Sequence, residues 1–251
     1  MKKMLALLLA VFFVLSLAAC SSSPSQTATE AESSAEGDAQ IVGGWSLTAN
    51  DAATLPEEVQ TAFDKATETI TGGYYVPVGY IGSQVVAGMN YALLCELLPS
   101  TTPVAAAVED GSEFSLKVII IYKDLNGNAE ITRETDFNLA DFTQDGGKTQ
   151  TELLAGGWSA PEEVSKTSIP DDAQTAFDKA TESFVGNDLE VMALLGTQVV
   201  ASTNYAFLCH SSIVTAEPVA NAVQVVTVYQ DLDGNAEITN ICTLDAADFN
   251  N

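Results

Sequence analysis

The chain has 251 residues, with 34 Asp or Glu against 9 Lys or Arg and one His, a formal net charge of −25. So acidic a surface is repelled by nucleic acid and by anionic lipid headgroups, which argues against both as partners. It suits solubility, or attraction to a basic partner.

The N-terminus reads MKKMLALLLAVFFVLSLAAC: two lysines, an apolar run from Met4 to Leu15, then small residues. That is the layout of a secretory signal, and it is too short and too one-sided for a permanent membrane span. Leu17 to Cys20, LAAC, resembles the bacterial lipobox. The resemblance implies a signal peptide over residues 1–19 and lipid attachment at Cys20. The mature protein would then sit on the extracytoplasmic face of a bacterial cell membrane, held through two or more acyl chains on that cysteine. A plain cleaved signal is the other reading. Loss of residues 1–19 removes Lys2 and Lys3 and leaves 7 basic against 34 acidic residues, a net charge of −27.

Residues 21–40, SSSPSQTATEAESSAEGDAQ, contain no aromatic and no branched aliphatic side chain. They cannot bury enough surface to offset the entropy of ordering, so residues 20–40 read as a disordered tether. Beyond them the chain repeats. GGWS at Gly43–Ser46 returns at Gly156–Ser159, TAFDKATE at Thr61–Glu68 returns at Thr175–Glu182, and NGNAEIT at Asn126–Thr132 returns as DGNAEIT at Asp233–Thr239. The offsets of 113, 114 and 107 residues place two modules at 41–143 and 154–251, joined by a linker at 144–153. Modules of roughly 100 residues are of ordinary domain size, and two are too few for a solenoid.

Each module opens with a helix. Behind Pro56, the residues Val59, Ala62, Phe63, Ala66 and Ile70 recur at helical spacing, with Glu57 and Glu58 in the first turn where the helix dipole favours acids. Gly72 and Gly73 are expected to stop it. In the second module Ala173, Ala176, Phe177, Ala180 and Phe184 form the same stripe behind Pro170. Such a stripe needs one apolar sheet face to cover it.

Strands supply that face. Tyr91, Leu93 and Cys95 alternate with Asn90, Ala92, Leu94 and Glu96, and Tyr205, Phe207 and Cys209 alternate with Asn204, Ala206, Leu208 and His210. The alternation predicts that the first set faces the helix and that the second set forms a wetter face. LKVIIIYKDL and QVVTVYQDL then read as strands running into Asn126-Gly127 and Asp233-Gly234, which are hairpin signals, and each module closes on a strand near Ile131 or Ile238. A calcium-loop reading of DLNGNAE and DLDGNAE fails on the position of its glycine and the lack of flanking helices, so no metal site is expected. No cofactor is expected either. Besides Cys20, the cysteines are Cys95 and Cys209 at equivalent positions and an unmatched Cys242, which write no symmetric disulfide framework. The fold class is α+β.

Helix, strand, Gln-Val-Val-Ala-Gly, strand and a final hairpin is the order of elements in the cystatins, and Gln84, Val85, Val86, Ala87 and Gly88 carry that family's central motif. Gly43 and Gly44 stand upstream of it at a comparable distance to the family's N-terminal glycine. The resemblance implies tandem cystatin-like modules, each one helix on a curved antiparallel sheet of four to five strands. It also implies a wedge, made of the glycine segment and two hairpins, that enters the cleft of a papain-like cysteine protease. The second hairpin departs from the family in lacking Pro-Trp, which leaves it an acidic, polar tip. The second module keeps Gly156, Gly157, Gln198, Val199, Val200 and Ala201 but has Ser202 where the glycine should be, so it is the weaker candidate. The alternative is a non-inhibitory binding or envelope-structural module with another extracytoplasmic protein as partner.

An enzyme is not expected, and no catalytic residues are assigned. The only histidine, His210, directly follows Cys209, and strand neighbours point to opposite faces. Trp45 and Trp158, the chain's two tryptophans, hold equivalent positions, either packed against the sheet or as binding anchors.

Overall fold

The structure is a computed structural model that describes residues 43–47, 54–99, 115–143, 157–161, 164–165, 168–213 and 220–250. The expected signal peptide, the tether with Cys20, the linker 144–153 and Gly156 lie outside the described residues. Among the described residues no helix is long and apolar enough to cross a membrane.

Helix α1 spans Glu57–Thr67 and buries Val59, Ala62 and Phe63; α2 spans Asp171–Thr181 and buries Ala173, Ala176, Phe177 and Ala180. Both begin behind a proline and carry two acids in the first turn, as their sequences require. Both end earlier than the stripe suggests. Thr67 Oγ1 donates back to the Phe63 carbonyl at 2.9 Å, and Thr181 Oγ1 does the same to Phe177. Thr61 and Thr175 carry the same back-bond inside the helices, so what ends each one is the tighter turn closed by Ile70 N–H on Thr67 O at 3.1 Å and by Phe184 N–H on Thr181 O at 3.0 Å. Ile70 and Phe184 therefore lie in the turns that follow, half-buried and outside the helices.

The strands are β1 (Trp45–Ser46), β2 (Gly73–Val86), β3 (Gly88–Pro99), β4 (Ser115–Lys123) and β5 (Ala129–Asp136) in one sheet. A second sheet holds β6 (Asp188–Val199), β7 (Thr203–Ile213), β8 (Ala220–Gln230) and β9 (Ala236–Thr243). Both sheets are antiparallel with strands in chain order. Their long outer strands break register at matching places, between Pro77/Gly79 and Tyr80/Gly82 in β2 and between Val191/Ala193 and Leu194/Gly196 in β6. Such bulges bend a strand and sharpen its twist.

One face of each sheet receives its helix. Phe63 packs with Tyr91, Leu93, Cys95, Ile119 and Ile121, and Phe177 packs with Tyr205, Phe207, Cys209, Val226 and Val228. The Phe177 and Phe207 rings meet edge to face at 5.1 Å. Burial pushes the Cys95 and Cys209 thiols far above their ordinary range, so they are inert packing groups.

The other face is not wet. Ala92, Leu94, Ala206 and Leu208 are fully buried, and Glu96 and His210 beside them are buried as well. The reason is that the two sheets cover each other. Val78, Ile81, Leu94, Val118 and Phe137 from the first half share one core with Met192, Leu195, Leu208, Val225 and Phe249 from the second. The architecture is thus helix, sheet, sheet, helix, and the described residues belong to a single unit. Short 3-10 turns close each half, at Leu139–Asp141 and Ala246–Phe249. At the ends of these turns the equivalent rings Phe142 and Phe249 meet at 6.1 Å, and the Asn240 side chain donates to the Phe142 carbonyl at 3.0 Å.

Because the sheets share a core, the halves should unfold together. Far-UV circular dichroism and the fluorescence of Trp45 and Trp158 are expected to lose signal in one urea transition, and two separated transitions would contradict the shared core. Phe63→Ala or Phe177→Ala should each cost ~3–5 kcal/mol, read from the same titration.

Candidate functional site

The first hairpin is tighter than its sequence suggests. Gln84, Val85 and Val86 are strand residues, with Val86 paired across to Gly88, so Ala87 alone forms the turn. Gly88 adopts φ +146°, and a Cβ there would stand 2.3 Å from the Lys123 carbonyl oxygen and 2.9 Å from the Tyr122 ring. Only glycine fits. The Tyr122 hydroxyl in turn donates to the Ala87 carbonyl at 2.9 Å, which fixes the turn to β4. Val86 and Ala87 are exposed at the tip, while Val85 is half-buried.

The glycine segment is tied to this hairpin. Gly43, at φ +84°, donates its N–H to the Val85 carbonyl at 3.1 Å and accepts from the Gln84 side chain at 3.0 Å. Gln84 Oε1 accepts from Asn90 Nδ2 at 2.8 Å, so the glutamine is held from both ends. The motif's Gln is thereby a bracket between segments 41 residues apart.

The second hairpin stands at the same end of the sheet, since Met89 beside the first turn pairs with Lys123 before the second. It is a three-residue loop closed on a left-handed glycine: Asp124 N–H to Asn128 O, Gly127 N–H to Asp124 O, and Gly127 at φ +83°. The Asp124 carboxylate accepts from the Asn128 side chain and from the Asn126 and Asn128 backbone. Those bonds, led by the Asn128 side chain, hold its pKa below the usual aspartate range. Lys65 of α1 caps the Gly127 carbonyl at 2.7 Å. With these groups used inside the turn, Leu125 is pushed out to the tip at 85% exposure. The tip is therefore apolar at its point, not polar as the sequence suggests. Leu125 escaped notice because a longer loop, and not a two-residue Asn-Gly turn, is what lifts it.

The second half repeats the arrangement. Asn204 Nδ2 donates to Gln198 Oε1 at 2.7 Å, Asp231 organises its turn as Asp124 does, with its pKa likewise held down by Asn235, and Lys179 caps Gly234 at 2.8 Å. The turn closes around Ser202, with Val200 N–H donating to its carbonyl at 2.9 Å. Val199, Val200 and Ala201 are exposed and Ser202 is buried. Gly157 is half-buried beside Trp158, and Ser159 bridges Thr197.

Both tryptophans pack at the rim of the inter-sheet core. Trp45 lines a recess together with Leu244 and Ala246 of the second half, while Trp158 shares the surroundings of Gly196 with Leu139 of the first. Beside Gly43, Gly44 and Gln84, a recess of about 380 Å³ has Asp245, Ala247 and Asn250 on its far wall. Cys209 and His210 point to opposite faces; the imidazole lies 3.1 Å from Asn221 Oδ1 in the inter-sheet core.

No family model matches the chain, and no curated protein matches it. Among solved structures the chain is similar to the salivary cystatin from the soft tick Ornithodoros moubata, at 23% identity over 39% of this chain and 100% of that one, with a TM-score of 0.28.

Gly88→Ala should destabilise the protein by roughly 1–3 kcal/mol or more, the cost of forcing a side chain into that backbone conformation and against Lys123. Ser202→Gly should change stability far less. Urea titration of both variants checks the contrast; equal effects would mean that the first hairpin has room that its geometry denies.

Proposed function

We propose that the chain is a lipid-anchored extracytoplasmic protein that binds papain-like cysteine proteases through the hairpin end of its first sheet, acting as an inhibitor. One observation carries this reading. Gly43-Gly44, the Gln84–Gly88 hairpin and the Asp124–Asn128 turn, far apart in sequence, stand together at one end of the first sheet. They form a narrow edge whose points are Val86 and Leu125, backed by a rigid sheet. A projecting apolar edge on fixed hydrogen bonds loses little conformational entropy when it enters a cleft. Leu125 supplies the apolar contact that the missing Pro-Trp pair would otherwise make.

A second reading has an observation of its own. Asp245, Ala247 and Asn250 of the second half stand beside the glycine segment, which restricts how closely the rims of a cleft can approach. This favours a non-inhibitory binding module that uses the hairpin tips alone.

The mature chain with Cys20→Ser should inhibit a papain-like protease such as papain, and Val86→Asp should weaken that inhibition by about tenfold or more, as for an apolar anchor replaced by a charge. Inhibition constants against a peptide substrate measure this. Full retention by Val86→Asp would remove the first hairpin from the site. Binding without inhibition would select the second reading.

The anchor has its own test. In cells of a bacterial host, Cys20→Ser should move the protein out of the membrane fraction or leave the precursor uncleaved, as followed by fractionation and mass spectrometry of the N-terminus. Unchanged processing and fractionation would reject lipid attachment at Cys20.

A further inference from the structure

A sheet edge left bare is a template for another strand, and proteins blunt such edges with proline, bulges, charges or a covering segment. Three of the four edges here are blunted in that way. Strand β2 has Pro77 and two bulges and is covered in part by β1. Strand β6 begins with Asp188 and Glu190, has two bulges and is bridged by Ser159 at Thr197.

The edge of β5 is blunted by charge. Phe137 N–H donates to the Leu116 carbonyl at 2.9 Å, and backbone groups alternate in direction along an antiparallel strand, so those of Glu134 and Asp136 point away from β4. Both outward positions therefore carry carboxylates, which Lys117 bridges from inside the sheet. In β9 the bond from Leu244 N–H to the Val223 carbonyl, at 2.8 Å, turns the backbone of Ile241 and Thr243 outward by the same logic. These two residues are the counterparts of Glu134 and Asp136, 107 positions on, and Asn240 stands for Arg133. Every charge of the run has gone. Among the described residues no strand pairs with this side of β9.

From this we infer that β9 pairs edge to edge and antiparallel with β9 of a second copy of the chain, joining two four-stranded sheets into one. The inference does not depend on the protease reading. Charge selects the occupant: a basic partner would be held better by the carboxylates that β5 keeps, whereas a chain this acidic meets its own copy only where its edge is neutral. Symmetry selects the register. With Cys242 opposite Cys242, Ile241 of each copy faces Thr243 of the other, and each of these pairs exchanges both its hydrogen bonds. Ile241, which packs on the helix side, continues that face across the junction. Glu237, the one charged residue of β9, lies beyond the break in register at Thr227/Val228 and outside the run. The same register in β5 would set Glu134 against Asp136, like charges directly opposite, which is destabilising.

The test uses residues 20–251 with Cys20→Ser, followed by sedimentation velocity under reducing conditions over a range of protein concentrations. A dimer is expected, and because the acidic chains repel, its fraction should rise as NaCl goes from ~0.05 M to ~0.5 M. Thr243→Asp should weaken association about fivefold or more, and Ile241→Glu with Thr243→Asp should leave a monomer. Thr243 is exposed, so its variant keeps the fold, which circular dichroism checks. Cys242 reads the register: its thiol is free, and in a pair without hydrogen bonds the Cα atoms stand about 4.5 Å apart, within disulfide reach. Diamide, taking up two protons and two electrons from two thiols, should link the dimer through Cys242, and Cys242→Ser should abolish the link but not the dimer. A monomer at every concentration, with no linked dimer under diamide, overturns the inference. So does a dimer that Thr243→Asp and the paired variant leave unchanged.

Discussion

The structure depends on the burial of one sheet against the other. Each sheet is apolar on both faces, and a helix covers only one of them. Left alone, either half would expose Leu94, Val118 and Phe137, or Leu208, Val225 and Phe249, a contiguous apolar surface that is unfavourable to leave in water. Pairing the two surfaces removes both at once. The same packing explains Glu96 and His210, whose polar groups are buried because their strand positions lie on the covered face.

This constraint sets the geometry of the hairpin ends. Gly79 carries no side chain where Met192 and Leu208 press against β2, and Gly196 carries none where Leu139 and Trp158 press against β6. Close approach at these two points slides each hairpin end over the tail of the other sheet. Residues from one half consequently border the hairpin end of the other: Asp245 and Ala247 beside Gly43, and Leu139 beside Trp158. The ends are rigid because bulged strands, a bracketing glutamine and a lysine from the helix fix each one independently of any partner.

Much of this was legible in the sequence. The helices showed through their stripes, and the strands facing them through the alternation around Cys95 and Cys209. Gly88 could be picked out because its place in the hairpin demands a backbone that side chains resist. The covered sheet face was not legible, for a physical reason: alternation assigns residues to faces but does not say what lies on the far side. Asn90, Glu96 and His210 made that face look wet, whereas Ala92, Leu94, Ala206 and Leu208 already carried the apolar signal of burial on both sides. The helix ends were not legible because Ile70 and Phe184 keep the helical spacing while sitting in the tighter turns closed on Thr67 and Thr181. Leu125 and Leu232 were missed because their exposure follows from loop length, and Asn-Gly and Asp-Gly suggest a shorter loop than the one that forms.

Equivalent residues meet across the junction, Phe142 with Phe249, as they do where two like halves pack about a two-fold axis. In such an interface the same patch serves on both sides, so it must be complementary to itself. With both patches on one chain the association is intramolecular, at an effective concentration set by the connection and not by the cell. A substitution in one half then acts on one side only, which lets the halves drift apart in sequence while the junction is kept. The hairpin ends, which touch no equivalent residue, are freer still. Glycine survives at Gly88, where Lys123 and Tyr122 crowd it, and serine is tolerated at Ser202, where the turn closes on its carbonyl. The likeness of the two ends in Gln198, Asp231 and Leu232 is therefore not imposed by the junction. A requirement of the ends themselves accounts for it better than packing does.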